Sequence, residues 1–209
     1  MIRNHFDSSA GIAIGPILFI IAILAILAAA IAAGSGSFTA GTSNESTNTK
    51  ASALIQIGDN LKVGMDRMVM DNSIAFGGYT INANNTVNNN DLFSPTGGGI
   101  LTPSVTMANN PATDIWYYPT GPFPGLGTNN AEQLAVLHVA PAVCDSINLK
   151  ADGLSATPAA AALGDFTSTN AIPIASMNNW PTSLQGHPTG CVNNSTNSGD
   201  YFYEVLYIQ

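Results

Sequence analysis

The feature that most constrains this chain is a run of uncharged, mostly apolar residues from Ala10 to Ala33, AGIAIGPILFIIAILAILAAAIAA. It contains no Asp, Glu, Lys, Arg or polar amide. About twenty such residues, each rising about 1.5 Å, match the roughly 30 Å hydrocarbon core of a bilayer. A helix in a soluble core would show a polar face, and this run has none. The expectation is therefore a transmembrane helix over 12–33. The head before it, MIRNHFDSS, sets Arg3 and the α-amino group against Asp7, which favours a cytoplasmic N-terminus and an exported C-terminal part. A cleaved secretory signal is the competing reading, since IAAGS and AAAIA offer small residues to a signal peptidase. The apolar stretch of such signals is about 7–15 residues, however, and the greater length here favours a retained anchor.

Beyond Gly34 the remaining chain is long enough to bury one sizeable core, and nothing in its composition divides it. Charged residues make up 9% of the sequence and the net charge is −8. Past the span, Lys50, Lys62, Arg67 and Lys150 face twelve acidic residues. Nucleic acid is excluded as a partner on that balance, because its binding needs Lys and Arg to displace counterions. Binding to anionic lipid surfaces is disfavoured for the same reason. The two cysteines, Cys144 and Cys191, both lie on the exported side, where an oxidising compartment favours their pairing. Closing that loop of about 46 intervening residues is worth roughly 4 kcal/mol in the chain-entropy description.

Four segments follow from punctuation and periodicity: a leader over 1–11, the span over 12–33, a Gly/Ser linker over 34–41 and an exported domain over 42–209. GSGSFTAG (Gly34 to Gly41) should break or loosen a helix. Thr42-Ser43-Asn44-Glu45 has the form of a capping box that restarts one. Leu54, Ile57, Leu61, Met65 and Met68 then recur at three- and four-residue spacing, which predicts an amphipathic helix to about Asp71. Met65, Met68 and Met70 read as gap-filling core, and Lys62 with Asp66 as an i,i+4 pair. Ile74 to Phe76 and Tyr79 to Ile81 read as short strands about Gly77-Gly78. Asn82 to Asp91 and Ser94 to Gly99 read as loops. Ile115 to Tyr118 is a strand ended by Pro119. A second helix is expected over Asn130 to Lys150, kinked or divided by Pro141, followed by mostly loop over Leu154 to Ser183. Tyr201 to Gln209, aromatic and β-branched, is the strongest strand. Strands separated by loops give an antiparallel sheet, hence an α+β fold: a transmembrane helix and an amphipathic helix followed by a small antiparallel-sheet domain.

No catalytic constellation stands out. The histidines are His5, His138 and His187; no G-x-S-x-G elbow accompanies the serines, and Gly97 to Gly99 lack the Lys-Ser/Thr of a phosphate cradle. His138 reads as a helix-face or boundary residue. Asn88 to Asp91 could offer oxygens to calcium, but only Asp91 supplies a carboxylate where several are needed. The sequons at Asn44, Asn84, Asn193 and Asn194 are what an Asn- and Thr-rich chain produces by chance. No cofactor, no metal and no catalytic residue is assigned.

The leader ending Ser8-Ser9-Ala10-Gly11, the span Ile12 to Ala33, the stripe Leu54 to Met68 and the pair Cys144 and Cys191 together give a layout that resembles the type IV pilin and type II secretion pseudopilin family. The resemblance implies a pilin-like α+β domain, cleavage by a prepilin peptidase after Gly11, and bundling of the apolar helices into a filament core. It also implies a single-pass inner (cytoplasmic) membrane protein whose C-terminal domain lies in the periplasm or in an extracellular filament. Where the family has glutamate as the fifth residue after the cut, this chain has Pro16, which fits a minor, initiating subunit. The small residues Gly15, Ala22, Ala25 and Ala29 are the candidates for close helix packing. The partners implied are other pilin-like subunits or further copies of the chain, prepilin peptidase and inner-membrane lipid. The function expected is that of a structural subunit of a cell-envelope filament or of the type II secretion apparatus. A membrane-anchored extracytoplasmic binding or adhesion domain without catalytic activity is the alternative, with loops rich in Asn, Gly and aromatics as its surface. An anchored enzyme would need a pocket with convergent polar groups and a perturbed titrating residue.

Overall fold

The computed structural model describes residues 14–81, 88–126, 132–159, 161–166 and 180–208, with backbone alone at 14–18 and 27–42. The chain divides into two compact units, Met1–Ser46 and Thr47–Gln209. Helix α1 runs from Ile14 to Asp71, 58 residues without interruption. Pro16 falls in its first turn, where amide donors lack intrahelical partners in any case. The break expected at Gly34 to Gly41 is absent. Each glycine there costs about 1 kcal/mol relative to alanine, but no proline follows Pro16 until Pro95, so no amide donor is lost and nothing forbids the helix. Thr42 to Glu45, expected to cap a new helix, lie inside α1.

The expected transmembrane helix over 12–33 is corrected. Among the described residues no helix is long and apolar enough to cross a membrane. The single-pass inner-membrane placement is corrected with it.

In the unit from Thr47, the stripe of α1 is Ala51, Leu54, Leu61, Met65 and Met68, each 1% exposed or less, with Gly58 buried among them. Met70, expected in the core, is 79% exposed. It falls two residues past Met68, on the opposite side of the helix. The i,i+4 ion pair at this end of the helix is Arg67 with Asp71, 3.7 Å apart.

The sheet has four antiparallel strands in the order β1-β2-β4-β3: β1 (Thr120–Gly121), β2 (Glu132–Val139), β3 (Thr189–Asn194) and β4 (Gly199–Ile208). Helix α2 (Pro141–Ala151) carries the chain from β2 past β4 to the far edge, and β3 then turns back into β4, which fills the gap. Residues 132–139 were expected in the second helix, and this too is corrected. Both faces of the sheet are buried. Ala135, Leu137, Val139, Cys191, Phe202 and Leu206 pack with the α1 stripe, while Leu134, Val136, Val192, Tyr201, Tyr203 and Val205 pack with Phe123, Phe166, Trp180 and Leu184 from the loops. A strand covered on two sides is apolar at nearly every position, so Leu134 and Leu137 imitate helical spacing. Pro141 occupies the first turn of α2 and starts the helix rather than kinking it. The short strands expected at 74–76, 79–81 and 115–118 reduce to isolated bridges, Thr80 with Asp91 and Tyr117 with Val136. Their backbone otherwise forms turns and irregular chain.

Cys144 of α2 and Cys191 of β3 form a disulfide with Cα atoms 5.2 Å apart, both fully buried. Beside it, Asn148 Nδ2 donates to the Cys191 carbonyl at 2.8 Å and the Cys191 amide donates to Asn148 Oδ1 at 2.7 Å. Reduction releases the loop between two cysteines that are 47 positions apart. It is expected to lower stability by about 3–4 kcal/mol, read as a lower urea midpoint in reductant. An unchanged midpoint would show that α2 and β3 are held without the bond.

Glu204 of β4 lies beneath α1 and is 1% exposed. A Cβ on Gly58 would come within 2.8 Å of its Oε2 and 3.0 Å of the Phe202 ring, so a larger residue there would have to push the Glu204 carboxyl aside. The carboxyl accepts a hydrogen bond from the Thr189 hydroxyl. Burial pushes its pKa up to about 7 from 4.5; the Thr189 hydroxyl opposes the rise, Asp59 adds to it and Lys62 opposes it. The folded state therefore holds the proton more tightly than the unfolded chain. Stability is highest below the ordinary carboxylate range and falls as pH rises through about 7, by up to about 3 kcal/mol. Urea midpoints measured at about pH 5 and pH 8 should differ in the native sequence, and the difference should shrink in Glu204→Gln. Equal loss in both proteins would assign the titration elsewhere.

Candidate functional site

The helix-packing residues inferred from the sequence fall on the first part of α1. Every described side chain from Phe19 to Ile26 is exposed. Exposure of the large ones ranges from 41% at Ile23 to 69% at Ile26, with Phe19 at 68%. Eight consecutive residues cover more than two helical turns, so the exposed surface is apolar around the whole circumference and not along one stripe. Ala22 and Ala25 stand between these large side chains, each exposed. Gly15 and Ala29 lie in the same helix where only the backbone is described. Gly11, the expected cleavage position, and His5 lie outside the described residues.

The remaining acid–base groups form pairs that no local sequence signal announces. His138, expected on a helix, is in β2; its Nδ1 lies 3.1 Å from Asp114 Oδ2, and its ring lies against Tyr201 with centroids 5.1 Å apart. His187 Nδ1 lies 2.5 Å from Asp152 Oδ1. The Asp152 side chain is 3% exposed while His187 is 42% exposed. Burial pushes the Asp152 carboxyl up, and the His187 charge and hydrogen bond oppose the rise. Each pair orients an imidazole, as a carboxylate does in a hydrolase triad. Among the described residues, however, no serine, threonine or cysteine hydrogen-bonds to either ring. The groups are distant in sequence, and only the tertiary fold brings each pair together.

Asp91, considered as a calcium ligand, is fully buried and already committed. Its Oδ2 accepts from the Thr80 hydroxyl at 3.0 Å and its Oδ1 from the Phe93 amide at 3.0 Å. Among the described residues no three His, Cys, Asp or Glu side chains converge to hold a metal ion. Asn194, the last of the four sequons, is also fully buried. Its Oδ1 accepts from the amides of Leu163 and Thr196, and its Nδ2 donates to the Gly164 carbonyl and to Asn197. It is a structural bracket for the loop over β3.

Among the described residues the exposed apolar part of α1 is thus a distinctive surface, and Glu204, whose carboxyl burial pushes up, is closed in beneath the other part of the same helix. Compared with known proteins, the chain matches no family model, no curated protein and no solved structure.

Proposed function

We propose that the chain is a structural subunit of the pilin or pseudopilin kind, which assembles with further copies or with similar subunits through the first part of α1. The observation that carries this reading is the exposed apolar surface over Phe19 to Ile26 on a helix whose later part is seated on an antiparallel sheet. A helix apolar all round is stable in water only when something covers it, and contiguous exposed apolar surface marks an interaction site. Like helices are the natural cover, because Ala22 and Ala25 leave recesses between Phe19, Ile21, Ile23 and Ile26 into which neighbouring side chains can fit. The sheet unit, fixed by the disulfide and by Asn148, supplies a rigid body for each copy to present. Two of the features that carry the family resemblance, the buried stripe of α1 and the Cys144–Cys191 bond, are present and support the same reading.

The assembly is expected to depend on side-chain shape and polarity in this segment. Ala25→Phe fills the recess, and Leu24→Asn places an amide on the apolar face; each should weaken self-association of the full chain at least about tenfold, roughly 1.4 kcal/mol. Sedimentation velocity over a concentration series reads the effect, and an unchanged urea midpoint shows that the sheet unit is intact. A native chain that stays monomeric over the whole series and binds no similar subunit, or variants that associate like the native chain, would remove the helix as the assembly surface.

A further inference from the structure

A second surface, in the unit from Thr47, has a different chemistry. A cleft of about 420 Å³ opens between the turn after α1, the chain entering β1, and the start of β2. Its walls are Tyr79, Trp116, Tyr117 and Tyr118, with Thr120 and Gln133 as the polar side chains between them. Among the described residues that line it, none is charged. The volume lies within the ~300–1,000 Å³ of small-molecule sites, and aromatic walls with a few fixed polar groups are what such sites are made of.

Gln133 fixes the polar groups. It is 2% exposed and sits at an irregularity in the pairing of β2 with β4, between Gln133 and Leu134. Its Nε2 donates to the carbonyls of Tyr118 at 2.9 Å and Pro119 at 3.1 Å, both in the chain that leads into β1. Its Oε1 accepts from the Tyr79 hydroxyl at 3.2 Å and from the Thr120 hydroxyl at 2.5 Å. The amide can therefore offer a ligand nothing more. The Tyr79 and Thr120 hydroxyls have each spent their single proton on it, and what they retain is acceptor lone pairs. The Trp116 indole N–H is spent as well, on the Ser104 carbonyl at 3.2 Å. Burial pushes the Tyr79 phenol upward, with Tyr207 adding to the rise, so it stays neutral.

These facts select among ligands that like aromatic walls. A proline-rich peptide offers carbonyl acceptors alone; the Tyr117 and Tyr118 hydroxyls could serve them, but the Tyr79 and Thr120 oxygens, whose protons are spent on Gln133, would be left without a donor. A quaternary ammonium offers no proton to the waiting lone pairs, and no carboxylate lines the cleft to balance its charge. A neutral sugar meets both conditions. Its hydroxyls can donate to the Tyr79 and Thr120 oxygens and accept from the Tyr117 hydroxyl, and its C–H faces lie against the negative faces of aromatic rings. We propose that this cleft binds a neutral hexose unit of a glycan, with Tyr79 and Thr120 as acceptors and the Tyr117 ring as a wall.

The test uses the full chain and three probes, methyl α-glucoside, methyl α-mannoside and methyl β-galactoside, followed by saturation-transfer NMR and titration calorimetry. At least one should bind with a Kd of about 1 mM. Tyr79→Phe keeps the ring and removes the acceptor, and should weaken binding about 3–10-fold. Tyr117→Ala removes the wall and should weaken it about tenfold or more. Tyr79→Phe and Thr120→Val each remove a hydrogen bond to Gln133 and should lower the urea midpoint slightly, so binding is compared where every variant is fully folded; if Tyr117→Ala does not fold, Tyr79→Phe and Thr120→Val decide the matter. The proposal is overturned if none of the three glycosides binds at concentrations up to about ten times that Kd. It is equally overturned if binding is indifferent to Tyr79→Phe and Thr120→Val, or if decaproline or tetramethylammonium occupies the cleft in their place.

Discussion

The fold depends on covering β4. This strand lies between β2 and β3, so its two edges are satisfied by hydrogen bonds, and its two faces bury side chains of opposite parity. Phe202, Glu204 and Leu206 lie on the side of α1 and the disulfide, and Tyr201, Tyr203 and Val205 lie under a loop layer held by Trp180, Phe166 and Phe123. Rings on that second face meet edge to face, Trp180 against Tyr203 at 4.9 Å and Phe166 against Tyr201 at 5.4 Å, a geometry that the ring quadrupole favours. Long loops can serve as a packing layer because their aromatic side chains supply the area that a helix would otherwise bring. The backbone polar groups of those loops are partly satisfied by Asn194, which four bonds tie to its surroundings.

Much of this is legible in the sequence where one element carries its own signal. The stripe from Leu54 to Met68 repeats at helical spacing because one face of α1 is buried and the other is wet. YFYEVLYIQ reads as a strand because its residues are β-branched and aromatic, and the two cysteines pair because nothing else in the chain competes for them. Legibility fails where burial is two-sided or where partners are remote. β2 is covered on both faces, so its alternation is erased and the eye finds a helix. Glycines at 34, 36 and 41 look like a break, but propensity alone does not end a helix that no proline interrupts. Met70 belongs by composition with Met65 and Met68 but sits on the other side of the helix.

The candidate surfaces divide in the same way. The apolar segment of α1 is visible as a run of letters, although the run alone suggested a bilayer span, which the described helices do not provide. The aromatic cleft was out of reach: its walls come from residues 79, 116–118 and 133, and Tyr79 and Gln133 are 54 positions apart. Ile115 to Tyr118 and Tyr79 to Ile81 stood out in the sequence, each as a strand, and Gln133 fell within an expected helix. What turns those rings into a cleft is a single amide side chain at an irregularity in the sheet, a feature without a compositional trace.

The bidentate grip of Asn148 on Cys191 bears on how such molecules can and cannot join. β3 is an edge strand, and its amide and carbonyl at Cys191 would be open to a strand from another molecule. The Asn148 side chain takes both positions and acts as one residue of an additional strand. At the opposite edge β1 is only two residues long, which gives an incoming strand little to pair with. The sheet is thereby closed to end-on growth at its centre of register, and copies of this chain that come together are steered away from the cross-β route toward contacts between side chains.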